Sequence, residues 1–272
     1  MIKPIKNLLS CFLVGSLLSL ISCATPSEQF SNVARALSFS GFSLNTNRFD
    51  HQIYLNEQAL QYTDTEVLHV YIDGDGTPWE QQRWITDDPT SRNPIILELM
   101  HQDKKPALFL GRPCYHGFSH SGTCDNRYWT SHRYSDDVVN SMVKALQLWL
   151  QKRPYRHIVL IGFSGGGTLA VLMASDIAEV QTAVTLAANL DTEAWSTYHH
   201  FLPLTNSLNP ASRTFNARFK QIHLAGLKDT NVPLHLIKAF ADKQANAKVI
   251  TYPNFDHHCC WVKEWSTILS LF

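Results

Sequence analysis

The chain has 272 residues, 44% of them hydrophobic and 17% charged, a globular composition long enough for one large domain or two small ones. Twenty-three Lys and Arg balance twenty-three Asp and Glu, which argues against a nucleic-acid partner, since such proteins carry a basic footprint. Neutrality of this kind says nothing about fold.

In chain order, the first segment is a leader. Lys3 and Lys6 precede an apolar run, Leu8 to Ile21, interrupted only by small residues such as Ser10, Gly15 and Ser16. That run is too short for a comfortable membrane span and has the shape of a secretory signal. It closes on Leu20-Ile21-Ser22-Cys23, which resembles the lipobox of bacterial lipoproteins, where the cysteine receives lipid and becomes the new N-terminus. An ordinary signal peptide that carries a cysteine, or an uncleaved anchor, are the alternatives. The resemblance implies a signal peptide over residues 1–22 and a lipidated N-terminus and tether over 23–35, and the rest, 36–272, reads as a single domain. It also implies export and attachment to the cell envelope. With Ala24 after the cysteine, the outer membrane is the expected address in a Gram-negative cell.

Phe39 to Tyr54 reads as a hairpin of two edge strands, and Val67 to Ile72 as a strand. Pro94 to His101 is helix-like, and Ala107 to Leu110 is the next strand. Ser135 is placed to cap a helix reaching Gln151, whose Val139, Met142, Leu146 and Trp149 recur at helical spacing before Pro154 stops it. His157 to Ile161 is apolar on both faces, as a central parallel strand covered by helices should be. Gly165 to Ile177 reads as a helix. Strands follow at 183–187, 221–225 and 249–252, with helices expected at 192–198, 234–246 and 260–271. This alternation predicts an α/β fold with a mostly parallel central sheet and helices on both faces. In such sheets ligands bind beyond the carboxyl ends of the strands.

Gly162-Phe163-Ser164-Gly165-Gly166 lies between a buried strand and a helix. This is the G-x-S-x-G pattern in the context that gives it meaning. The serine occupies a sharp strand-to-helix turn, glycines two residues to either side relieve crowding, and the helix start aims free N–H groups at developing negative charge. A phosphate cradle would need a lysine that is missing here. On this motif and its setting, the region from Val67 to Phe272 resembles the α/β-hydrolase superfamily of esterases, lipases and peptidases.

The resemblance implies a chain order of serine, acid and histidine. Gly226-Leu227-Lys228-Asp229-Thr230-Asn231-Val232-Pro233 looks like the family's acid loop, so Asp229 is the expected acid, with Asp191 one strand earlier as runner-up. The base belongs on the loop after the last strand. His257 fits through Phe255-Asp256, and its neighbour His258 competes with it. The oxyanion donors implied are the N–H of Gly165 and one N–H from Asp73-Gly74-Asp75-Gly76, either Gly74 or Asp75. Aspartates stand here where the family often has histidine and glycine. Trp79 and Trp261 flank these loops. The Tyr128 to Arg133 segment, aromatic and basic, is open between substrate contact and packing.

Of the four cysteines outside the leader, Cys114 and Cys124 are the first choice for a disulfide, as expected of an exported domain. Cys259 and Cys260 are adjacent and stay open between mutual pairing, pairing elsewhere and free thiols. The cluster from His257 to Cys260 is too tight for a tetrahedral metal site, so no metal is expected. No organic cofactor is expected either. The resemblance implies a serine hydrolase acting on a small-molecule acyl substrate, carboxylic esters foremost, with peptides, lactones and thioesters open. A lipid-anchored binding protein on the same fold and an acyltransferase are the rival functions.

Overall fold

Eight strands share one sheet, and their order explains where the chemistry can lie. The computed structural model describes residues 24–272, apart from residues 63, 64 and 216. The leader and the lipidation expected at Cys23 lie outside the described residues. The strands are β1 (Ser40–Asn45), β2 (Asp50–Leu55), β3 (Val67–Ile72), β6 (Ala107–Leu110), β7 (His157–Phe163), β8 (Val180–Leu186), β9 (Lys220–Gly226) and β10 (Ala247–Tyr252), arranged β1-β2-β6-β3-β7-β8-β9-β10. The β1–β2 and β2–β6 pairs are antiparallel, and all others are parallel. A separate two-stranded hairpin joins β4 (Trp79–Glu80) to β5 (Trp84–Ile85).

The helices are α1 (Pro26–Ala36), α2 (Glu57–Gln61), α3 (Ile95–His101), α4 (Asp136–Leu150), α5 (Gly165–Ala174), α6 (Thr192–Tyr198), α7 (Leu234–Ala241) and α8 (Trp261–Ile268). Strand alternation sends neighbouring side chains into two separate cores. Leu68, Val70 and Ile72 join the α4, α5 and α7 side with Leu160, Met142 and Phe240. Tyr71 points to the other face, with Val159, Ile161 and Phe163, where α1, α3 and α8 cover it. Only His157 of β7 escapes full burial, which bears out its reading as a central strand. The α/β class and the mostly parallel sheet stand as expected.

Three local readings change. The stretch read as a tether contains α1, whose capping box at Thr25 and Glu28 starts it and whose Phe30 and Ala34 are buried against the domain. Ser135 occupies the N-cap position of α4 in extended conformation, but its side chain makes no cap bond, and Asp136 and Asp137 supply the acidic first turn. The β4–β5 hairpin was not anticipated, because two-residue strands carry no readable periodicity. Cys114 and Cys124 form a disulfide with a Cα–Cα distance of 5.4 Å, and Cys259 pairs with Cys260.

Candidate active site

The carboxyl ends of β3, β7, β8, β9 and β10 converge on Ser164. Ser164 sits between β7 and α5 with φ 50° and ψ −122°, the positive-φ backbone that a sharp strand-to-helix turn demands. The flanking glycines are there for space. A Cβ on Gly162 would lie 2.2 Å from the Gly166 carbonyl oxygen, and one on Gly166 would lie 2.2 Å from the Ile72 carbonyl oxygen. The turn therefore packs backbone against backbone at both positions.

The loop after β9 supplies Asp229 and the loop after β10 supplies His257. His257 Nε2 is 3.1 Å from Ser164 Oγ, and His257 Nδ1 is 2.9 Å from Asp229 Oδ2. The Asp229 side chain is fully buried. Its other oxygen, Oδ1, accepts the Asn231 and Val232 N–H groups, each at 2.8 Å. Those two bonds fix the carboxylate before it meets the imidazole. The imidazole packs against the Phe163 ring, 5.2 Å away between centroids, and the Trp261 indole N–H holds the loop by donating to the His257 carbonyl at 3.2 Å.

The alternatives are placed elsewhere. His258 is exposed, its backbone N–H donating to Asp256 Oδ1 at 2.8 Å. Asp191 caps α6, accepting from Ala194 N–H at 3.1 Å and from the Asn209 amide at 3.1 Å. The geometry thus brings together Ser164, Asp229 and His257 and leaves His258 and Asp191 out.

The loop after β3 runs beside the serine. A Cβ on Gly74 would make ordinary contact, 3.4 Å, with the Ser164 Cβ. The Gly74 N–H turns to Asp73 Oδ1 at 2.8 Å. The two aspartates of this loop behave oppositely. Burial raises the Asp73 carboxyl to about 7. Burial would raise Asp75 as well, but Arg133 and Arg112 outweigh it and bring that carboxyl down to about 2. Asp75 Oδ1 accepts from Arg112 Nη1 at 2.5 Å, and Oδ2 accepts from Arg133 Nη1 at 3.0 Å and from the Tyr134 hydroxyl at 2.6 Å. The Tyr115 hydroxyl donates to the Asp75 carbonyl at 3.0 Å, and Arg112 Nη1 also reaches the Gly74 carbonyl at 3.2 Å.

Sequence reading missed this cluster. Arg112 and Arg133 are almost fully buried, which is tolerable only because each is paired. Two carboxylates in the loop after β3 were the signal that buried cations had to be near. Within the Tyr128 to Arg133 segment, the cluster assigns Arg133 to packing. Asp75 Oδ1 presses so close to Gly165 that a Cβ there would come within 2.1 Å of it. No group of three or more His, Cys, Asp or Glu side chains suited to a metal occurs among the described residues.

A family model for the alpha/beta hydrolase fold matches residues 105–212, a stretch that includes Ser164 but neither Asp229 nor His257. Comparison with curated protein sequences gives no match. Among solved structures, the Pyrococcus furiosus esterase Pf2001 is 15% identical with a TM-score of 0.60, covering 87% of this chain and 90% of that one. Est1E from Butyrivibrio proteoclasticus, with ferulic acid bound, is 12% identical with a TM-score of 0.62, covering 85% of this chain and 98% of that one. Mouse alpha/beta hydrolase domain-containing protein 10 is 15% identical with a TM-score of 0.59, covering 85% and 98%. The chain has the alpha/beta hydrolase fold.

Proposed function

We propose that this chain is a serine hydrolase that cleaves carboxylic esters through an acyl-enzyme. The observation that carries the reading is the continuous relay from Ser164 Oγ through the His257 imidazole to the buried Asp229 carboxylate, at 3.1 and 2.9 Å. His257 Nε2 takes the Ser164 proton as Oγ attacks the ester carbonyl carbon. Asp229 keeps Nδ1 protonated and stabilises the imidazolium that results. The tetrahedral oxyanion is received by the Gly165 N–H at the start of α5 and by an N–H of the β3 loop. Asp75 N–H is the better donor from that loop, because the Gly74 N–H is already engaged by Asp73. Collapse expels the alcohol, which leaves with the proton from Nε2. His257 then activates water, and hydrolysis of the acyl-serine returns the enzyme.

The Asp75 carboxylate would oppose an oxyanion if it stood alone. Its two guanidinium partners outnumber it, so the loop presents backbone donors in a locally cationic surrounding. The reading extends to an exported protein held at the cell envelope by lipid on Cys23. Turnover of p-nitrophenyl esters from acetate to decanoate tests the reaction class. Hydrolysis by wild type that disappears in Ser164→Ala supports it, and equal residual rates in both proteins contradict it.

A further inference from the structure

The β4–β5 hairpin exposes large apolar side chains on both of its faces. Trp79 pairs with Ile85 and Glu80 with Trp84, so alternation puts one tryptophan on each side of the ribbon. Trp79 is 43% exposed, Trp84 60% and Ile85 38%. A two-stranded ribbon has little stability of its own in water, and these side chains give it no core. On the other flank of Ser164, the segment from α6 onward exposes Tyr198, Phe201 and Leu202, the last at 88%. Strands β3 and β8 are the two neighbours of β7, so the segments that carry these apolar groups follow the strands on either side of the one that ends at the serine. Elsewhere among the described residues, exposed large hydrophobics such as Phe42, Leu60 and Leu271 are scattered singly over separate elements.

The start of the described chain is fastened to this same hairpin. The Ser27 N–H donates to Asp88 Oδ2 at 2.8 Å, and Ser27 Oγ lies 3.0 Å from Thr90 Oγ1. Asp88 and Thr90 belong to the return limb, which is tied to the outgoing limb by Thr77 N–H to the Pro89 carbonyl at 2.9 Å. Cys23 precedes Ser27 by four residues, and four residues of chain reach at most about 14 Å. A lipid on Cys23 therefore brings a bilayer close to this return limb of the hairpin. Tryptophan is the side chain that settles best in the headgroup layer. The Arg83 guanidinium, 5.1 Å from the Trp84 ring centroid, adds a cation suited to lipid phosphate.

We propose that the β4–β5 hairpin seats Trp84 and Trp79 in the headgroup layer of the membrane that anchors the chain, so that Ser164 opens toward the bilayer and takes acyl esters of membrane lipids as substrate. The substrate half rests on the serine-esterase reading and the seating half on lipid at Cys23. The test uses the mature, lipid-modified protein in vesicles of phosphatidylethanolamine and phosphatidylglycerol, with acyl chains either plain or brominated near the headgroup. Bromination should quench tryptophan fluorescence in wild type, and Trp84→Ser should lose a large part of that quenching. In the same vesicles, Trp84→Ser combined with Leu202→Ser should hydrolyse the phospholipid ester about tenfold more slowly, with a soluble short-chain ester turned over within about twofold of wild type. Equal quenching in wild type and Trp84→Ser overturns the seating, as does a hairpin that crosslinks only to a second copy of the chain. A mature protein without fatty acid on Cys23 by mass spectrometry overturns the anchoring. Quenching as expected with neither ester hydrolysed keeps the seating and overturns the ester reading from which the substrate is drawn.

Discussion

Among the described residues, the sheet carries two buried His–Asp pairs, one at each end. At the carboxyl ends, His257 Nδ1 meets Asp229 Oδ2 at 2.9 Å. At the amino ends, His69 Nδ1 meets Asp103 Oδ2 at 2.5 Å. The second pair borders a cavity of about 500 Å³ lined by residues such as Val67, Val159 and Phe272, and the first borders Ser164. Asp103 Oδ2 also accepts the Tyr71 hydroxyl at 2.6 Å, and that hydroxyl takes the Trp265 indole N–H at 3.4 Å. The amino-end pair is thus part of a network that braces α8 and β3. The carboxyl-end pair hands its free nitrogen to a hydroxyl on a positive-φ turn. Neither cavity size nor a His–Asp bond marks chemistry, and what sets His257 apart is that its second imidazole nitrogen meets the Ser164 hydroxyl.

Substitutions should separate the two pairs sharply. Ser164→Ala is expected to lower kcat by about 10⁶ and Asp229→Asn by about 10⁴, with folding retained. His69→Gln and Asp103→Asn should instead lower the melting temperature and leave kcat within about threefold. Steady-state kinetics beside thermal melts on the same four variants would check this. A kcat loss at His69 matching that at Asp229 would erase the distinction.

The Asp75 cluster sharpens the comparison, because it is a charged network that belongs to the reactive end. Asp75→Asn leaves Arg112 and Arg133 buried without their shared carboxylate, a change expected to cost about 3–5 kcal/mol. It should also loosen the loop beside Ser164, with kcat falling about 10²-fold even in the folded fraction. Denaturant melts and kinetics of the purified variant give both numbers. Smaller again is removal of the Cys114–Cys124 disulfide by serine replacement. Closing a loop of sequence separation 10, it should be worth about 2–4 kcal/mol in urea melts, with little change in kcat.

A further effect is a pH dependence of stability, with no change in the catalytic residues. Asp73 is raised from 3.8 to about 7 by burial, so the folded state binds its proton more tightly than the unfolded chain does. Its contribution to stability is full below pH 3.8 and is lost as pH rises to about 7. Asp75, held down to about 2, acts in the opposite sense, its contribution present above pH 3.8 and lost as pH falls toward 2. Asp73→Asn should therefore flatten the fall in stability between those pH values. An unchanged slope would show that another group titrates there.

The sequence spoke clearly wherever chemistry and backbone make the same demand. Ser164 was legible because Gly162 and Gly166 are forced by backbone contact, and β7 because burial on both faces leaves no polar residue after His157. Asp229 and His257 were legible as loop positions after late strands, but only the fold separates His257 from His258, since a one-residue choice depends on which way the loop turns. Helix α1 was obscured because its polar, Ser-rich start resembles a tether, and only burial of Phe30 and Ala34 fixes it. The Asp75 clamp was out of reach for a different reason. Its partners Arg112, Arg133 and Tyr134 come from segments far along the chain, and no local pattern records a contact across 37 to 59 residues.

The most direct measurement is fluorophosphonate labelling of the mature protein, read by intact mass and by the modified peptide. On the proposed mechanism one label per chain is expected, carried by Ser164, absent in Ser164→Ala, strongly slowed in His257→Gln and unchanged in His69→Gln. A folded wild-type protein that takes no label, or takes it at another serine, would contradict it.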